Sequence, residues 1–422
     1  MNDLPARIRH LSVTLNRQPC GSLTQESQLV FKYGRDDLTQ PSVGLLMPPS
    51  KIVYSSNTLF PVMDQNIPEG YLMAQMRAMF PKQPLTVMHF LALMGENGIG
   101  RLGFSMEGAQ TRPLPAPLSK ADVLKMPYRP ETFDALVREY LMSGFGIAGM
   151  QPKIMLPVQP DVALDRATIP IPRLIVKAGS PAYPGIAANE FLCLTAAEKA
   201  GILTPAFDLS HDGQLLVLDR FDIADDGRRL GFEDIAALMG LSVRDTLSDR
   251  KYQGSYEQVA EALRLVGLGP EDLARFFEQV AFTIMVRNGD GHLKNYGVLY
   301  EEAPRAGKDR PEMKVRLAPM FDVLTTSIYK YERWSGGDLV EDKTLALKLR
   351  RGKNGSRVYP TKKELHAFAS EVCGVRKPKP VLERIAEAMK NTLIQARQDE
   401  RIPARLLDQI GPVWLDGCTY AD

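Results

Sequence analysis

Two polar residues five apart mark the stretch of this chain best suited to chemistry. In VRNGDGHLKNYGVLY, Val286 to Tyr300, Asp290 and Asn295 follow a long apolar helical run and precede a short strand-like one. Phosphoryl transfer to a hydroxyl needs a carboxylate that orients the nucleophile and accepts its proton. It also needs oxygen ligands for Mg²⁺. An Asp followed by an Asn on one tight loop offers both, and Lys294 adds a cation for developing phosphate charge. The same letters also suit a plain helix-to-strand loop in which Asn and Asp serve turn chemistry. A second carboxylate, Asp322, ends the apolar strand in LAPMFDVLTTS, Leu317 to Ser327. Its order and spacing after Asp290 fit a second metal-binding carboxylate in a kinase-like catalytic lobe.

Three further segments carry charge or glycine in useful places. Lys177 stands within the apolar run RLIVKAG. A lysine there is costly to bury unless an anion pairs it. Phosphates would pair it, and Glu190 on the following helix could hold it; alternatively its stem snorkels out beside Ala178 and Gly179. Gly144, Gly146 and Gly149 in SGFGIAGMQPK precede the strand PKIMLPV. Glycines let backbone N–H groups approach phosphate oxygens, and they equally make an ordinary flexible loop. Asp219, Arg220 and Phe221 end the strand LLVLDRF. That order suits a hinge where backbone groups and an aromatic hold adenine. A strand end with a buried Phe reads the same way.

The elements that must position these residues come in two styles. From Leu11, LSVTLNRQPCGSL alternates apolar and polar residues around a turn expected at Gln18 to Gly21, and LVFKY reads as another strand. GYLMAQMRAMF and VMHFLALMGENG have helical spacing, and the second ends at glycines. GIGRLGFSM reads as a closing strand, and the proline-rich Thr111 to Ser119 as a linker. PKIMLPV, RLIVKAG and LLVLDRFD are strand-like, with the helical ANEFLCLTAAEKAG between the last two. From Phe232 onward FEDIAALMGL, YEQVAEALRLVGL, PEDLARFFEQVAFTIMVRN, ELHAFASEVCG and VLERIAEAMKNTLIQARQ all show helical apolar spacing.

The bulk numbers exclude several classes. At 422 residues the chain is too long for one core. A net charge of +2 provides no global field toward nucleic acid or membrane. The start, MNDLPARIRH, has no apolar segment behind it, and no run approaches the ~18 apolar residues of a membrane helix. Cys20, Cys193, Cys373 and Cys418 are scattered with no CxxC pair, which fits a reducing cytoplasm.

Together these segments resemble the HipA family of serine/threonine kinase toxins, from about Leu11 to the last helices. GIAGMQPK resembles the family's glycine-rich loop, VKAGSPAYPGIAANE its lysine strand and helix, and LDRFD its hinge. NGDGHLKN and APMFDV resemble its catalytic and metal-binding loops. The resemblance implies an α+β, two-lobed protein-kinase-like fold. Its parts would be a β-rich N-terminal subdomain over 1–110, a nucleotide-binding lobe over 119–222 and a mainly helical catalytic lobe over 223–422. It implies Asp290 as proton acceptor assisted by Lys294, with Asn295 and Asp322 holding Mg²⁺. ATP would be surrounded by Ala148, Gly149, Met150, Gln151, Lys153, Lys177, Glu190, Asp219, Arg220, Phe221, His292, Asn295, Phe321 and Asp322.

The implied substrate is a protein serine or threonine, in the best-known members on an aminoacyl-tRNA synthetase. The implied partner is a small helix-turn-helix antitoxin. Self-silencing members carry a serine two positions before the Ala of the AG pair. Here Gly146 stands there, so silencing at that position is not expected. A small-molecule kinase or a non-catalytic regulatory module are the competing classes. Finally, KTLALKLRRGKNGSR, Lys343 to Arg357, contains no acid. It reads as a solvated loop or as a stripe touching DNA phosphates when an antitoxin carries the chain to its operator.

Overall fold

The structure, a computed structural model, describes residues 4–37, 39–108, 118–142, 152–157, 172–179, 181–242, 248–303, 312–332, 339–341, 343–352 and 355–422. Gly144, Gly146, Ala148, Gly149, Met150, Gln151 and Lys353 lie outside them, as does most of the expected linker.

In chain order, β1 (His10–Leu15), β2 (Gln18–Gln25), β3 (Leu29–Tyr33) and β4 (Val53–Ser56) lead into α1 (Pro61–Asp64), α2 (Gly70–Met79) and α3 (Val87–Met94). Next come β5 (Leu102–Ser105), α4 (Lys120–Lys125), α5 (Pro130–Met142), β6 (Lys153–Pro157) and β7 (Pro172–Ala178). α6 (Ile186–Lys199), β8 (Phe207–Leu209), β9 (Leu215–Asp219), β10 (Gly231–Asp234) and α7 (Ile235–Leu238) follow. Then come α8 (Tyr256–Leu265), α9 (Pro270–Met285), β11 (Gly297–Ala303), β12 (Glu312–Leu317), β13 (Lys330–Glu332) and β14 (Leu339–Glu341). The chain closes with α10 (Lys362–Ala367), α11 (Lys379–Ala396) and α12 (Ala404–Cys418).

Two compact units share these elements, each built from separated stretches. The first holds Met1–Ala178, Val217–Arg250 and Leu299–Val315; the second holds Gly179–Leu216, Lys251–Val298 and Arg316–Asp422. In the first, an antiparallel sheet runs β4-β3-β2-β1-β5. Its alternation buries Leu11, Val13 and Leu15 on one face and Leu29, Phe31 and Tyr33 likewise. The first turn falls at Asn16 and Arg17, not at Gln18 to Gly21. Both residues have positive φ (48° and 66°). A two-residue hairpin of that kind matches strand twist, so Gln18 onward stays extended. In the same unit β6 pairs antiparallel with β7, and β9 lies beside β7.

The stretch FEDIAALMGL is not one helix. Gly231–Asp234 is extended as β10, and the Asp234 carboxylate then caps α7 by accepting from Ala237 N–H at 2.8 Å. Its neighbour Glu233 is 1% exposed, accepts from Leu45 N–H at 2.6 Å and also bonds Tyr300. Burial pushes its carboxyl from an ordinary 4.5 up to about 7. Between those values the unfolded chain has released a proton that the folded chain keeps. Stability of the first unit is therefore expected to fall as pH rises from 4.5 to about 7, by up to about 3 kcal/mol. Glu233→Gln, which can still accept from Leu45, should flatten that slope. Urea midpoints across this range test it, and equal slopes for both proteins would refute it.

The second unit is centred on α9, whose Phe276, Phe277, Val280, Phe282, Ile284 and Met285 are fully buried. α12 packs against its end so closely that a Cβ on Gly417 would lie 1.9 Å from the Met285 carbonyl oxygen. Only glycine fits that approach. The helical run ELHAFASEVCG becomes α10 followed by a π-helical turn at Phe368–Val372. Among the described residues no helix is long and apolar enough to cross a membrane.

Candidate active site

The loop after α9 is wound by its own polar groups. Arg287 turns it at positive φ (57°), and the Asn288 side chain accepts from Asp290 N–H at 3.1 Å. His292 N–H donates to the Asp290 carbonyl at 2.7 Å, and Asn295 N–H to the His292 carbonyl at 2.9 Å. Leu293–Asn295 then form a 3₁₀ turn that leads into β11. Gly291 is required by crowding: a Cβ there would meet Thr283 Cγ2 at 2.9 Å and the Tyr256 hydroxyl at 3.1 Å. Among buried neighbours Asn288, His292 and Asn295, the Asp290 side chain is 49% exposed. The loop therefore presents one carboxylate.

Asn295 ties this loop to the second one. Its amide NH₂ donates to the Asp290 carbonyl at 2.9 Å and lies 3.4 Å from the Asp322 carbonyl. The side-chain oxygen is then the atom that would meet a cation. Asp322 itself sits at φ 57°. An aspartate in the left-handed region is uncommon, and such conformations gather at functional sites because surrounding contacts hold them. The contacts here are explicit. Thr325 exchanges two hydrogen bonds with the Asn189 side chain (2.9 and 3.0 Å) and accepts from Trp414 Nε1 at 2.8 Å. Thr326 Oγ1 accepts from Gly289 N–H at 2.6 Å and lies 3.2 Å from the Arg287 carbonyl. The segment carrying Asp322 is thus clamped to α6, α12 and the Asp290 loop; Asp322 does not end a strand as expected but lies in a bend five residues beyond the end of β12 at Leu317.

His292 is packed beside these carboxylates. Burial, aided by Lys251 and Lys294 against the pull of Asp290 and Asp322, pushes its imidazole down to about 4, so it is neutral at pH 7. Its Nδ1 is buried with no hydrogen-bond partner among the described residues. Lys294 and Phe321 are half-buried nearby in sequence, and Glu190 is fully buried on α6.

The remaining predicted positions lie in the first unit. Lys153 and Lys177 stand directly opposite each other on β6 and β7, and each is 5% exposed. Facing residues of an antiparallel pair share a side, and like charges there are destabilising unless anions answer them. Asp219 pairs with Lys120 at 3.3 Å. The Arg220 side chain is wholly buried, gripping Asp222 at 2.6 and 2.9 Å, the Gly98 carbonyl at 2.9 Å and the Met155 sulfur at 3.3 Å. That guanidinium is committed inside the fold, so any nucleotide contact of Arg220 falls to its main chain. Phe221 packs edge-on to Phe232, ring centroids 5.6 Å apart.

The basic stripe is answered by acids, most of them from elsewhere in the chain. Arg350 pairs with Glu257 and Glu371, Arg351 with Glu261, and Lys343 with Glu341. Arg357 donates to the Tyr252 carbonyl. Arg350 and Arg351 thus brace α8 while remaining partly exposed. Sequence reading also missed Asn189, Thr325, Thr326, Trp414 and Tyr252. The one available signal was Asn189, a poor helix former in the first turn of an otherwise apolar helix start.

Comparison with known proteins places these features in context. A family model described as HipA-like C-terminal domain matches residues 145–396, and one described as HipA N-terminal domain matches residues 11–105. Y4dM of Sinorhizobium fredii (strain NBRC 101917 / NGR234), named as a kinase by inference, is 29% identical over 170 residues. That match covers 37% of this chain and only 38% of Y4dM. Y4mE of the same organism, named likewise, is 24% identical over 354 residues, covering 76% of this chain and 78% of Y4mE. Among solved structures, a HipA, HipB and operator DNA complex of the Shewanella oneidensis MR-1 toxin–antitoxin system matches with a TM-score of 0.62 at 15% identity. It covers 97% of this chain and 96% of that one, a likeness of fold.

Proposed function

This chain belongs to the HipA family, and from that premise we propose that it is an ATP- and Mg²⁺-dependent serine/threonine protein kinase acting as the toxin of a type II toxin–antitoxin module. One observation supports the chemistry most: Asn295 links the half-exposed Asp290 to an Asp322 in the left-handed region, within one hydrogen-bonded loop pair.

In this reading Asp290 orients the acceptor hydroxyl and takes its proton. Asn295 Oδ1 and the Asp322 carboxylate would hold Mg²⁺, a hard cation that takes one or two protein oxygens and completes its shell with phosphate and water. Mg²⁺ when bound would neutralise charge on the transferring phosphoryl group. The oxygen donors fit such an ion. Lys153 and Lys177, opposite each other on β6 and β7, are proposed as ATP contacts on the family resemblance. Lys294 offsets phosphate charge, and neutral His292 presents an imidazole to the nucleotide without adding charge. By the family resemblance, the glycine-rich segment with Ala148, Gly149, Met150 and Gln151 is proposed for the phosphates, and the main chain at Asp219 to Phe221 for adenine.

The acceptor in this reading is a serine or threonine of a protein, an aminoacyl-tRNA synthetase among the candidates, and its modification inhibits growth in the cytoplasm. The partner is a small helix-turn-helix antitoxin, as the Shewanella HipA was solved with HipB and operator DNA. DNA would be met through that partner.

Calorimetry with ATP, with and without Mg²⁺, tests the metal assignment. Asp322→Ala and Asn295→Ala should each weaken Mg²⁺-dependent ATP binding about tenfold or more, the worth of one charge-assisted contact. Unchanged affinity in both variants would remove these residues from the site. Transfer of labelled phosphate from ATP to protein, and not to sugars or aminoglycosides, tests the reaction.

A further inference from the structure

The residue closest to the proposed base is one that no sequence motif marks. Tyr252 ends a 3₁₀ turn, and its hydroxyl donates to Asp290 Oδ1 at 2.6 Å. Its ring meets the His292 ring edge-on, centroids 5.1 Å apart. Lys251 Nζ lies 5.5 Å from the Tyr252 ring centre. The Tyr252 carbonyl accepts from Arg357, the last cation of the basic stripe. The stretch just after it is stapled to that same stripe: Tyr256 N–H donates to the Lys348 carbonyl at 2.9 Å, and Ser255 bridges Lys348. The Tyr256 hydroxyl in turn donates to the Gly291 carbonyl at 2.9 Å. Lys348 and Arg357 therefore brace a tyrosine pair that grips the Asp290 loop: Tyr252 bonds its side chain and Tyr256 its backbone.

We propose that Tyr252 is a positioning residue for phosphoryl transfer, holding Asp290 Oδ1 so that Oδ2 faces the acceptor hydroxyl, with the basic stripe as its brace. A half-exposed aspartate swings freely about two torsions, and a base works only within hydrogen-bond reach of the proton it takes. A phenol on a rigid ring, itself packed on His292, fixes one oxygen and leaves the lone pairs of the other for substrate. Of the stripe, Arg357 secures the Tyr252 backbone through its side chain, while Lys348 holds Ser255 and Tyr256 through its main chain.

The inference rests on the kinase reading, and the test separates the two. Full-length wild type, Tyr252→Phe, Asp290→Asn and the double variant are assayed for ADP release and for phosphate transfer to casein under Mg²⁺-ATP. Tyr252→Phe should lower kcat about tenfold, the usual effect of losing a hydrogen bond to a charged group. KM for ATP should stay within about twofold, since no uniform binding is lost. In the Asp290→Asn background the same change should add little, because the two residues act as one unit. An unchanged kcat in Tyr252→Phe beside an active wild type overturns the positioning role alone. So does a tenfold loss that persists in the Asp290→Asn background, which would mark a general structural effect. Phosphate mapped to Tyr252 in wild type would make it an acceptor and overturn positioning as well. A wild type with no transfer at all overturns the kinase reading and this inference with it.

Discussion

Asp290→Asn is expected to leave the fold intact and to lower phosphate transfer by about 10²–10⁴-fold, the range for loss of a positioned acid–base group. The substitution keeps the shape of the side chain. Its Oδ1 can still accept from Tyr252, and the bonds that Asp290 makes through its main chain to His292 and Asn295 are untouched. What disappears is a carboxylate able to take the acceptor's proton. Thermal unfolding of the variant should match wild type, and Mg²⁺-dependent ATP binding should persist, because Asn295 and Asp322 carry the proposed metal contacts. Growth inhibition, if it flows from phosphate transfer, should vanish in parallel. Transfer at a near wild-type rate would take Asp290 out of the role of base.

Asp222→Ala should destabilise the first unit by about 3–5 kcal/mol, the range for removing one partner of a buried ion pair. Arg220 has a side chain with no exposed surface, and Asp222 answers it with both oxygens. The Asp222 carboxylate also accepts from Gly100 N–H at 2.7 Å. Alanine would strand a guanidinium and an amide N–H away from water. Domains are stable by only about 5–15 kcal/mol, so this single change should be visible at once as a drop in urea midpoint. Replacing the pair together, Arg220→Met with Asp222→Leu, should cost less than Asp222→Ala alone, since no charge is then left unanswered. A loss under about 1 kcal/mol for Asp222→Ala would mean that water reaches Arg220.

How far the letters carried depends on the range of the interaction behind each feature. Helices α2, α3, α6, α8, α9 and α11 were legible because apolar side chains three and four apart face one core, which is local periodicity. Helix α12 was passed over, since Gly411, Pro412 and Gly417 break its local signal. Its formation rests on packing, with Gly417 pressed to the Met285 carbonyl. The hairpin was misplaced by a few residues because Asn16 and Arg17 adopt left-handed backbone that an Arg seldom signals. The setting of the basic stripe was hidden for a related reason. The acids that answer Arg350 and Arg351 come from α8 and the π-helical turn, far outside any window of sequence.

By itself, then, the sequence determined the elements with strong periodicity, the HipA family through NGDGHLKN with APMFDV, and the candidate residues Asp290, Asn295 and Asp322. Only the tertiary structure decided that Asn295 bonds the carbonyls of both aspartates, that Tyr252 grips Asp290, and that Asn189 and Trp414 clamp the segment around Asp322 through Thr325. It also decided that Arg220 is spoken for inside the core. The physical reason is the reach of each force. Periodicity and turn chemistry act over a few residues and are written locally. A hydrogen bond to a catalytic carboxylate acts over about 3 Å of space between residues with no fixed spacing in the chain, and only folding brings its donor there.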